Sequence, residues 1–161
     1  MQKISTKVDP DFPGGFQRWL RLSATSFFLA LLCIVSHAAS SDHGIAVIAN
    51  QQVDAASLSP TRLKSIFGMR TTTWKNGQPI RVFVLKDNNP LHVRFTKDVL
   101  QTYPYNLRRI WERRVYSGTG LAPTVVNSEG EMLKLIAETD NAIGYIQHHN
   151  IDQNVKVLEI R

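Results

Sequence analysis

The chain has 161 residues, of which 43% are hydrophobic and 20% charged, and its formal net charge is +6. It contains no internal repeat, heptad pattern or low-complexity tract, which excludes repeat and coiled-coil architectures. The basic balance is compatible with an anionic ligand or surface, although an ordinary solvated surface explains it more simply.

The first 38 residues have the pattern of an export signal. Four basic residues precede an uninterrupted apolar run over residues 27–35, and small residues follow that run. We predict a cleaved signal peptide over residues 1–38, with cleavage between residues 38 and 40, and a periplasmic mature domain over residues 39–161. A membrane anchor is the alternative, but the apolar stretch is shorter than the ~20 residues that a spanning helix needs.

The predicted mature chain is long enough for one domain of ordinary size. It keeps fifteen basic and eleven acidic residues, a net charge of +4. The one cysteine, Cys33, lies inside the apolar run behind Leu32, which is too large to precede a lipid-attachment site. The mature protein is therefore expected to have no thiol and no disulfide, so that its stability depends on its core.

The mature chain is predicted to begin with a strand and a helix. Residues 45–49 form a short apolar run, which is typical of a strand buried on both faces, as in parallel sheets. Ser59 and Pro60 predict a helix start, because the hydroxyl accepts from an unpaired amide and proline suits the first helical position. The helix is expected to end at Gly68, and its apolar stripe contains Leu58, Leu63, Ile66 and Phe67.

A loop and a second strand follow. Trp74 precedes the turn dipeptide formed by Asn76 and Gly77, and apolar residues then alternate over residues 80–85. This pattern predicts a turn followed by a strand.

Two helices are predicted next. Asn89 is a suitable cap for a helix over residues 90–100, and Pro104 interrupts the pattern before a second helix over residues 105–115. One side of the second helix contains Leu107, Ile110, Trp111 and Val115.

The C-terminal part adds a capped helix and two strands. Ser128 and Glu131 form a capping box, in which the serine reaches forward and the glutamate reaches back to the start of the helix. Residues 142–146 and 155–160 are predicted strands. Strands that alternate with helices predict an α/β protein with a mostly parallel or mixed sheet.

Four segments occur in a characteristic order: LSPTRLKSIFG at residues 58–68, WKNGQPIRV at 74–82, NPLHVRF at 89–95 and DNAIGYI at 140–146. Together they resemble short periplasmic proteins related to the phosphate-binding components of ABC transporters. The resemblance covers roughly residues 45–160. It implies one periplasmic-binding-protein-like (type II) lobe, with helices flanking a mixed or mostly parallel sheet, because a two-lobe clamp needs about twice this length.

The best ligand-binding candidate is the turn formed by Asp87, Asn88 and Asn89. It leads into a predicted helix, whose free N–H groups and positive end favour an oxyanion. His92 and Arg94 follow in the first turns of that helix and offer further donors, although both are as readily interpreted as solvated surface residues. A capped helix start with no ligand is the alternative interpretation of the whole turn.

The resemblance also shows departures at this turn. Phosphate-binding relatives have an Asp-Gly-Ser-Gly-Thr loop with an arginine shortly before it, and Asp87 matches the acidic position. Leu85 stands in place of that arginine, Pro90 in place of a glycine and Leu91 in place of the threonine. The chain thus lacks a cationic fork, a backbone donor and a hydroxyl, which predicts at most weak phosphate binding.

A basic cluster lies on the second predicted helix. Its arginines are interleaved with aromatic residues, but an exported protein with no recognisable nucleic-acid fold is not expected to bind nucleic acid. A polar helix face or a docking surface for an acidic partner explains the cluster better. Its members are Arg108, Arg109, Arg113 and Arg114, interleaved with Trp111 and Tyr116.

The loop at residues 117–120 resembles a small-residue loop of the same family. Its glycines are explained by turn geometry, and binding of a ligand in the cleft by the hydroxyls of Ser117 and Thr119 is the weaker alternative.

Signatures of enzymes are absent from the sequence, so we predict no catalytic residue and no cofactor. His148 and His149 are adjacent and diverge, so no metal site is predicted, with His43 or Asp152 as only hypothetical additional ligands. The sequence therefore predicts a non-catalytic, exported solute-binding protein whose partners are a small, phosphate-like anion and a membrane transporter or sensor. The alternative is a periplasmic interaction or sensory module that binds a protein partner instead of a solute.

Overall fold

The central element is a mixed six-stranded sheet flanked by helices. The computed structural model describes residues 44–161, which belong to one compact unit, Asp42–Arg161. The predicted signal peptide and its cleavage site lie outside these described residues. Within the described residues, no helix is both long and apolar enough to cross a bilayer.

The secondary structure of residues 44–161 alternates strands and helices in the order of the chain. The strands are β1 (Ile45–Asn50), β2 (Ser57–Leu58), β3 (Arg81–Leu85), β4 (Thr124–Val126), β5 (Ala142–Gln147) and β6 (Val155–Ile160). The α-helices are α1 (Pro60–Phe67), α2 (Pro90–Arg94), α3 (Pro104–Tyr116) and α4 (Glu129–Glu138). A π-helix (Phe95–Val99) continues α2, and a 3₁₀-helix (His148–Asn150) follows β5.

The sheet has the order β2-β6-β1-β5-β3-β4. Strand β1 runs antiparallel to both of its neighbours, β5 and β6, whereas the pairs β2–β6, β3–β5 and β3–β4 are parallel. The α/β fold with a mixed sheet is therefore confirmed, but the expectation that β1 is a parallel-type strand is wrong. Its apolar run reflects burial on both faces, and a central strand covered by helices is buried whichever way it runs.

Strand β5 separates two layers of helices. Gly144 faces α4, where Met132 and Ile136 approach it, and Tyr145 faces the opposite side, where its ring stacks on Phe95 with centroids 3.8 Å apart. This alternation is the period of two that a strand imposes on its side chains. The ring of Phe67, at the end of α1, contacts the same aromatic group. The core therefore lies on both faces of the sheet.

Local capping determines where the helices begin. Ser59 accepts a hydrogen bond from the Arg62 amide at 3.2 Å, and Ser128 accepts one from the Glu131 amide at 3.1 Å, so both predicted caps are confirmed. The return bond of the capping box differs from the expectation, because Glu131 accepts from the amide of Asn127, one residue before the cap.

Three other details differ from the sequence-based expectations. Leu58 is buried in β2 and does not belong to α1, because residues 57–58 pair with the end of β6. Helix α2 continues directly as the π-helix Phe95–Val99, which sequence periodicity does not reveal. Val115 is 45% exposed, so the apolar side of α3 is shorter than predicted and is buried at Leu107 and Trp111.

Gly144 permits the close approach of α4 to β5. A Cβ atom at this position would lie 2.6 Å from Ile136 Cδ1 and 2.8 Å from Met132 Sδ. We expect Gly144→Ala to lower the free energy of unfolding by about 1–3 kcal/mol, because the core has no room for an added methyl. Urea unfolding at neutral pH measures this loss.

The matched control is the same substitution inside α4. A Cβ atom at Gly130 would meet no atom within 4 Å. Gly130→Ala should leave stability unchanged or raise it by up to about 1 kcal/mol, because alanine is the better helix former. Equal effects of the two substitutions would contradict the proposed packing of α4 on β5.

Candidate functional site

The candidate turn lies at the end of the sheet where the carboxyl ends of β3, β4 and β5 come together. Parallel pairing places the end of β3 beside the end of β4, since Leu85 is opposite Val126. Strand β5 runs parallel to both and ends at Gln147, which is opposite Ile45 at the start of β1. Loops at the carboxyl ends of parallel strands are where open α/β sheets bind their ligands.

The turn after β3 is shaped by Asn89. Its side-chain oxygen accepts from the Leu91 amide at 2.9 Å, and its own amide donates to the Lys86 carbonyl at 2.9 Å. The predicted helix cap is therefore confirmed, with Pro90 at the first helical position. Asn88 is exposed at the tip of the turn, and Asp87 is partly buried beside it.

Asp87 is held by an arginine from another helix. The Arg108 Nε atom of α3 donates to Asp87 Oδ2 at 2.5 Å, and this hydrogen bond raises the pKa of Arg108. The Arg108 side chain is 47% exposed, so the ion pair itself contributes modestly to stability. Within the described residues its terminal nitrogens make no hydrogen bond, which leaves two cationic donors at the edge of the turn.

His92 lies beneath the turn, and its side chain is fully buried. Its Nδ1 atom is 2.5 Å from the Tyr145 hydroxyl, which also accepts from the Leu85 amide at 2.9 Å. Burial raises the pKa of Tyr145 far above its usual value, so the hydroxyl keeps its proton. We assign that proton to the bond with Nδ1, the acceptor that the structure places within its reach, so that the neutral imidazole carries its own proton on Nε2.

The His92 Nε2 atom is buried without a hydrogen-bond partner. It lies 3.9 Å from Asp87 Oδ1, which is beyond hydrogen-bonding distance. Burial lowers the pKa of His92, the carboxylate of Asp87 opposes this effect, and Arg108 adds to it. The alternative that His92 is a solvated surface residue is therefore wrong.

Helix α4 also begins at this end of the sheet, but its first turn carries acidic side chains. Glu129, in the first turn of α4, accepts from the Gln147 amide at 2.7 Å and from the Asn150 side chain at 3.0 Å. Burial alone would raise the pKa of Glu129, but these bonds outweigh it and hold the pKa below its usual value. With Glu131 also ionised near Asn127, the α4 start repels an anion, which confines any anion to the side of Arg108.

Of the five residues predicted for the site, Asp87, Asn89 and His92 form one connected group. Asn88 is exposed at its edge, and Arg94 is exposed one turn further along the helix. Arg108 joins this group, although the sequence indicated it only as a member of the basic cluster. No local signal reveals the pairing, because 21 residues separate Arg108 from Asp87.

The surroundings of the turn do not add a metal site or a deep cavity. Among residues 44–161, no group of three metal-ligating side chains lies close together. Residues 87–89 do not line the pockets described for this part of the chain, although Arg108 also lines a neighbouring apolar pocket with Trp111 and Tyr116, so the turn itself is a surface feature.

Comparison with known proteins supports the fold. No protein-family model matches the chain, and no curated protein sequence matches it significantly. A Clostridium perfringens protein assigned as a phosphate ABC transporter substrate-binding protein, solved with bound phosphate, has a TM-score of 0.61 and 21% identity, and the match covers 73% of this chain and 44% of that one.

Two other solved structures match over the same 73% of this chain. An ABC-type phosphate transport receptor from Vibrio cholerae has a TM-score of 0.56 and 21% identity over 46% of its length. PstS from Borrelia burgdorferi has a TM-score of 0.56 and 16% identity over 47% of its length. The described residues have the fold of a periplasmic-binding-protein lobe, and the chain spans less than half the length of the proteins that it matches.

The buried His92 predicts that stability depends on pH. The folded chain keeps the imidazole neutral, whereas the unfolded chain takes up a proton near pH 6.5, so acid favours unfolding. We expect the free energy of unfolding to fall as pH drops from about 6.5 toward the lowered pKa, by at most about 1.4 kcal/mol per pH unit from this group. Denaturant titrations between pH 7.5 and 5 measure this slope.

Two variants isolate the contribution of this histidine. His92→Gln should flatten the pH dependence, whatever its effect on absolute stability. His149→Gln removes an exposed histidine and should leave the slope unchanged. An unchanged slope in His92→Gln would show that the buried imidazole is not the titrating group.

Proposed function

We propose that the chain is an exported, non-catalytic solute-binding domain that binds a small oxyanion weakly at the turn formed by residues 87–89. Residues 1–38 serve as its signal peptide, residues 39–161 form the periplasmic domain, and a membrane transporter or sensor is its partner. The fold of a binding-protein lobe supports this proposal, and so does the position of the turn at the carboxyl end of β3.

The ion pair of Asp87 with Arg108 is the observation that carries the proposal. Arg108 supplies the guanidinium that the chain lacks at Leu85, and the carboxylate fixes that guanidinium at the start of α2. Two free nitrogens of a guanidinium fit two oxygens of a phosphate or sulfate, and Asn88 is exposed at the tip of the same turn for a further polar contact. Arg94, the other predicted donor, is exposed at the end of α2.

The same geometry limits the affinity. Pro90 has no N–H group, and the amide of Leu91 already donates to Asn89. The unpartnered Nε2 atom of His92 is buried under Asp87, so it reaches an anion only if the turn opens. A carboxylate next to the guanidinium repels the incoming charge. One exposed guanidinium and few other donors therefore describe a low-affinity site.

Phosphate and sulfate titrations by calorimetry test this site. We expect dissociation constants of roughly 0.1 mM or weaker, because only a few charged hydrogen bonds form. Arg108→Gln should weaken phosphate binding about tenfold, since it removes the free cationic donors. Nanomolar affinity in the wild type would contradict the interpretation of the missing donors.

Arg109→Gln is the matched control for that titration. It removes an exposed arginine from the same helix, next to Arg108 but without a partner at the turn. Phosphate binding should be unchanged. Equal losses in Arg108→Gln and Arg109→Gln would indicate a diffuse charge effect and would count against a site at residues 87–89.

A second candidate function is binding of a protein partner, and the exposed end of α3 favours it. Tyr116 and Leu121 are 89% and 90% exposed, and Val115 and Val125 are close to half exposed beside them. These residues lie next to the arginines of α3, and aromatic residues with arginine are typical of the energetically important parts of interfaces. The partner would be acidic and would cover this apolar surface.

A pull-down from an envelope extract distinguishes this candidate. The double variant Arg109→Glu with Arg113→Glu should lose the partner recovered by the wild type, because it reverses the charge of the docking surface. Lys75→Glu with Lys134→Glu makes the same change of charge at exposed positions elsewhere and should retain it. Unaltered recovery by the arginine variant would exclude this surface.

A further inference from the structure

Three arginines from two separate segments line one pocket beside the end of α3. Arg70 follows α1, and Arg113 and Arg114 belong to the last turn of α3. We call this the arginine pocket; it has a volume of about 320 Å³ and is lined by Arg70, Ile110, Arg113, Arg114, Ser117 and Thr119.

The arginine pocket is held together by contacts between the two segments. The Trp111 indole donates to the Phe67 carbonyl at 2.7 Å, which fixes α3 against the end of α1. The Arg70 amide donates to the Ser65 carbonyl at 2.8 Å, so Arg70 starts from a tight turn after that helix. On the other side, a Cβ atom at Gly120 would lie 2.8 Å from Met69 Cε, which shows how closely the loop after α3 approaches the residue before Arg70.

The two hydroxyls of the pocket are also fixed. The Thr119 amide donates to the Arg114 carbonyl at 2.9 Å, and the turn between them has Gly118 with a φ of 68°. The hydroxyls of Ser117 and Thr119 are 2.8 Å apart and hydrogen-bonded to each other. The Ser117 and Thr119 hydroxyls also lie 3.2 Å and 3.4 Å from the Arg114 carbonyl oxygen, which accepts from them. Their protons are therefore used within the loop, and the donors that the pocket offers to a ligand are those of the arginines.

The positive charge of the pocket is not neutralised. No carboxylate lines it, and within the described residues the side chains of Arg70, Arg113 and Arg114 make no ion pair or hydrogen bond. The one acidic residue of α3, Glu112, lines a different pocket together with Arg108. Three guanidiniums that share one pocket repel each other, and a ligand with more than one negative charge relieves this repulsion.

A simpler explanation accounts for part of the cluster. Basic residues in the last turn of a helix interact favourably with its negative end, and this explains Arg113 and Arg114. The two hydroxyls are likewise explained by the end of the helix, because both donate to the Arg114 carbonyl. Neither effect explains Arg70, which comes from another segment. The convergence of both segments on one pocket therefore requires a further reason.

We infer that the arginine pocket is a binding site for a small anion with two or more closely spaced charged groups, such as phosphates or carboxylates. Two guanidiniums hold one group each in a bidentate manner, and the third lies between or beside them. An anion with a single group uses only part of this arrangement. The site differs from the turn at residues 87–89, since Arg113 is five residues beyond Arg108, about 7.5 Å further along α3.

Calorimetry with pyrophosphate as the probe and orthophosphate as the single-group comparison tests the inference. At constant ionic strength and pH 8, pyrophosphate should bind the wild type at least about tenfold more tightly than orthophosphate. Arg70→Gln and Arg113→Gln should each weaken pyrophosphate binding about tenfold. Both substituted residues are exposed, and the melting temperature of each variant without ligand verifies its folding.

Two matched variants decide between this site and its alternatives. Arg109→Gln removes an arginine of the same helix outside the pocket and should bind pyrophosphate as the wild type does. Arg108→Gln removes the cation at the 87–89 turn and should lose only the weak binding at that turn, while the tighter pyrophosphate binding persists. Equal binding of the two probes, or wild-type affinity in both Arg70→Gln and Arg113→Gln, would overturn the inference. Loss of pyrophosphate binding in Arg108→Gln with retention in Arg70→Gln would assign the ligand to the turn instead.

Discussion

The packing of Tyr145 is the interaction on which the rest of the structure depends. Its ring stacks on Phe95 and contacts Phe67, which joins two helices to the centre of the sheet. Its hydroxyl bonds to the Leu85 amide and to His92, which fixes the end of β3 relative to the start of α2. One side chain therefore determines both the core and the geometry of the turn at residues 87–89. A buried hydroxyl with both partners satisfied is rigid, because any displacement would leave a polar atom unpaired.

The fold was predictable wherever the determining contacts are local. Ser59, Asn89 and Ser128 each accept from an amide two or three residues ahead, so sequence spacing alone identifies the three helix starts. The direction of β1 was not predictable, because an apolar run reports burial and not the orientation of its neighbours. The strands β2 and β4 were missed for a related reason: two or three residues are too few to show a period, and their pairing depends on distant segments.

The candidate site followed the same rule. The turn and its cap were evident from adjacent residues, but the guanidinium at that turn comes from α3, and only the tertiary fold brings Arg108 to Asp87. The burial of His92 was equally hidden, since a histidine in the first turn of a helix can face either the solvent or the core. Its partner, Tyr145, is 53 residues away. Sequence reasoning thus identified the turn and its helix cap, whereas the charges around that turn and the burial of His92 required the structure.

The sheet terminates on both sides in very brief strands, β2 with two residues and β4 with three. Short edge strands present few unpaired backbone N–H and C=O groups, so a neighbouring molecule that extended the sheet would form few backbone hydrogen bonds. The architecture consequently disfavours fibril-type growth. Any assembly with a second lobe or a receptor must then depend on contacts between side chains. Substitutions there can change specificity without disturbing the hydrogen bonds of the sheet.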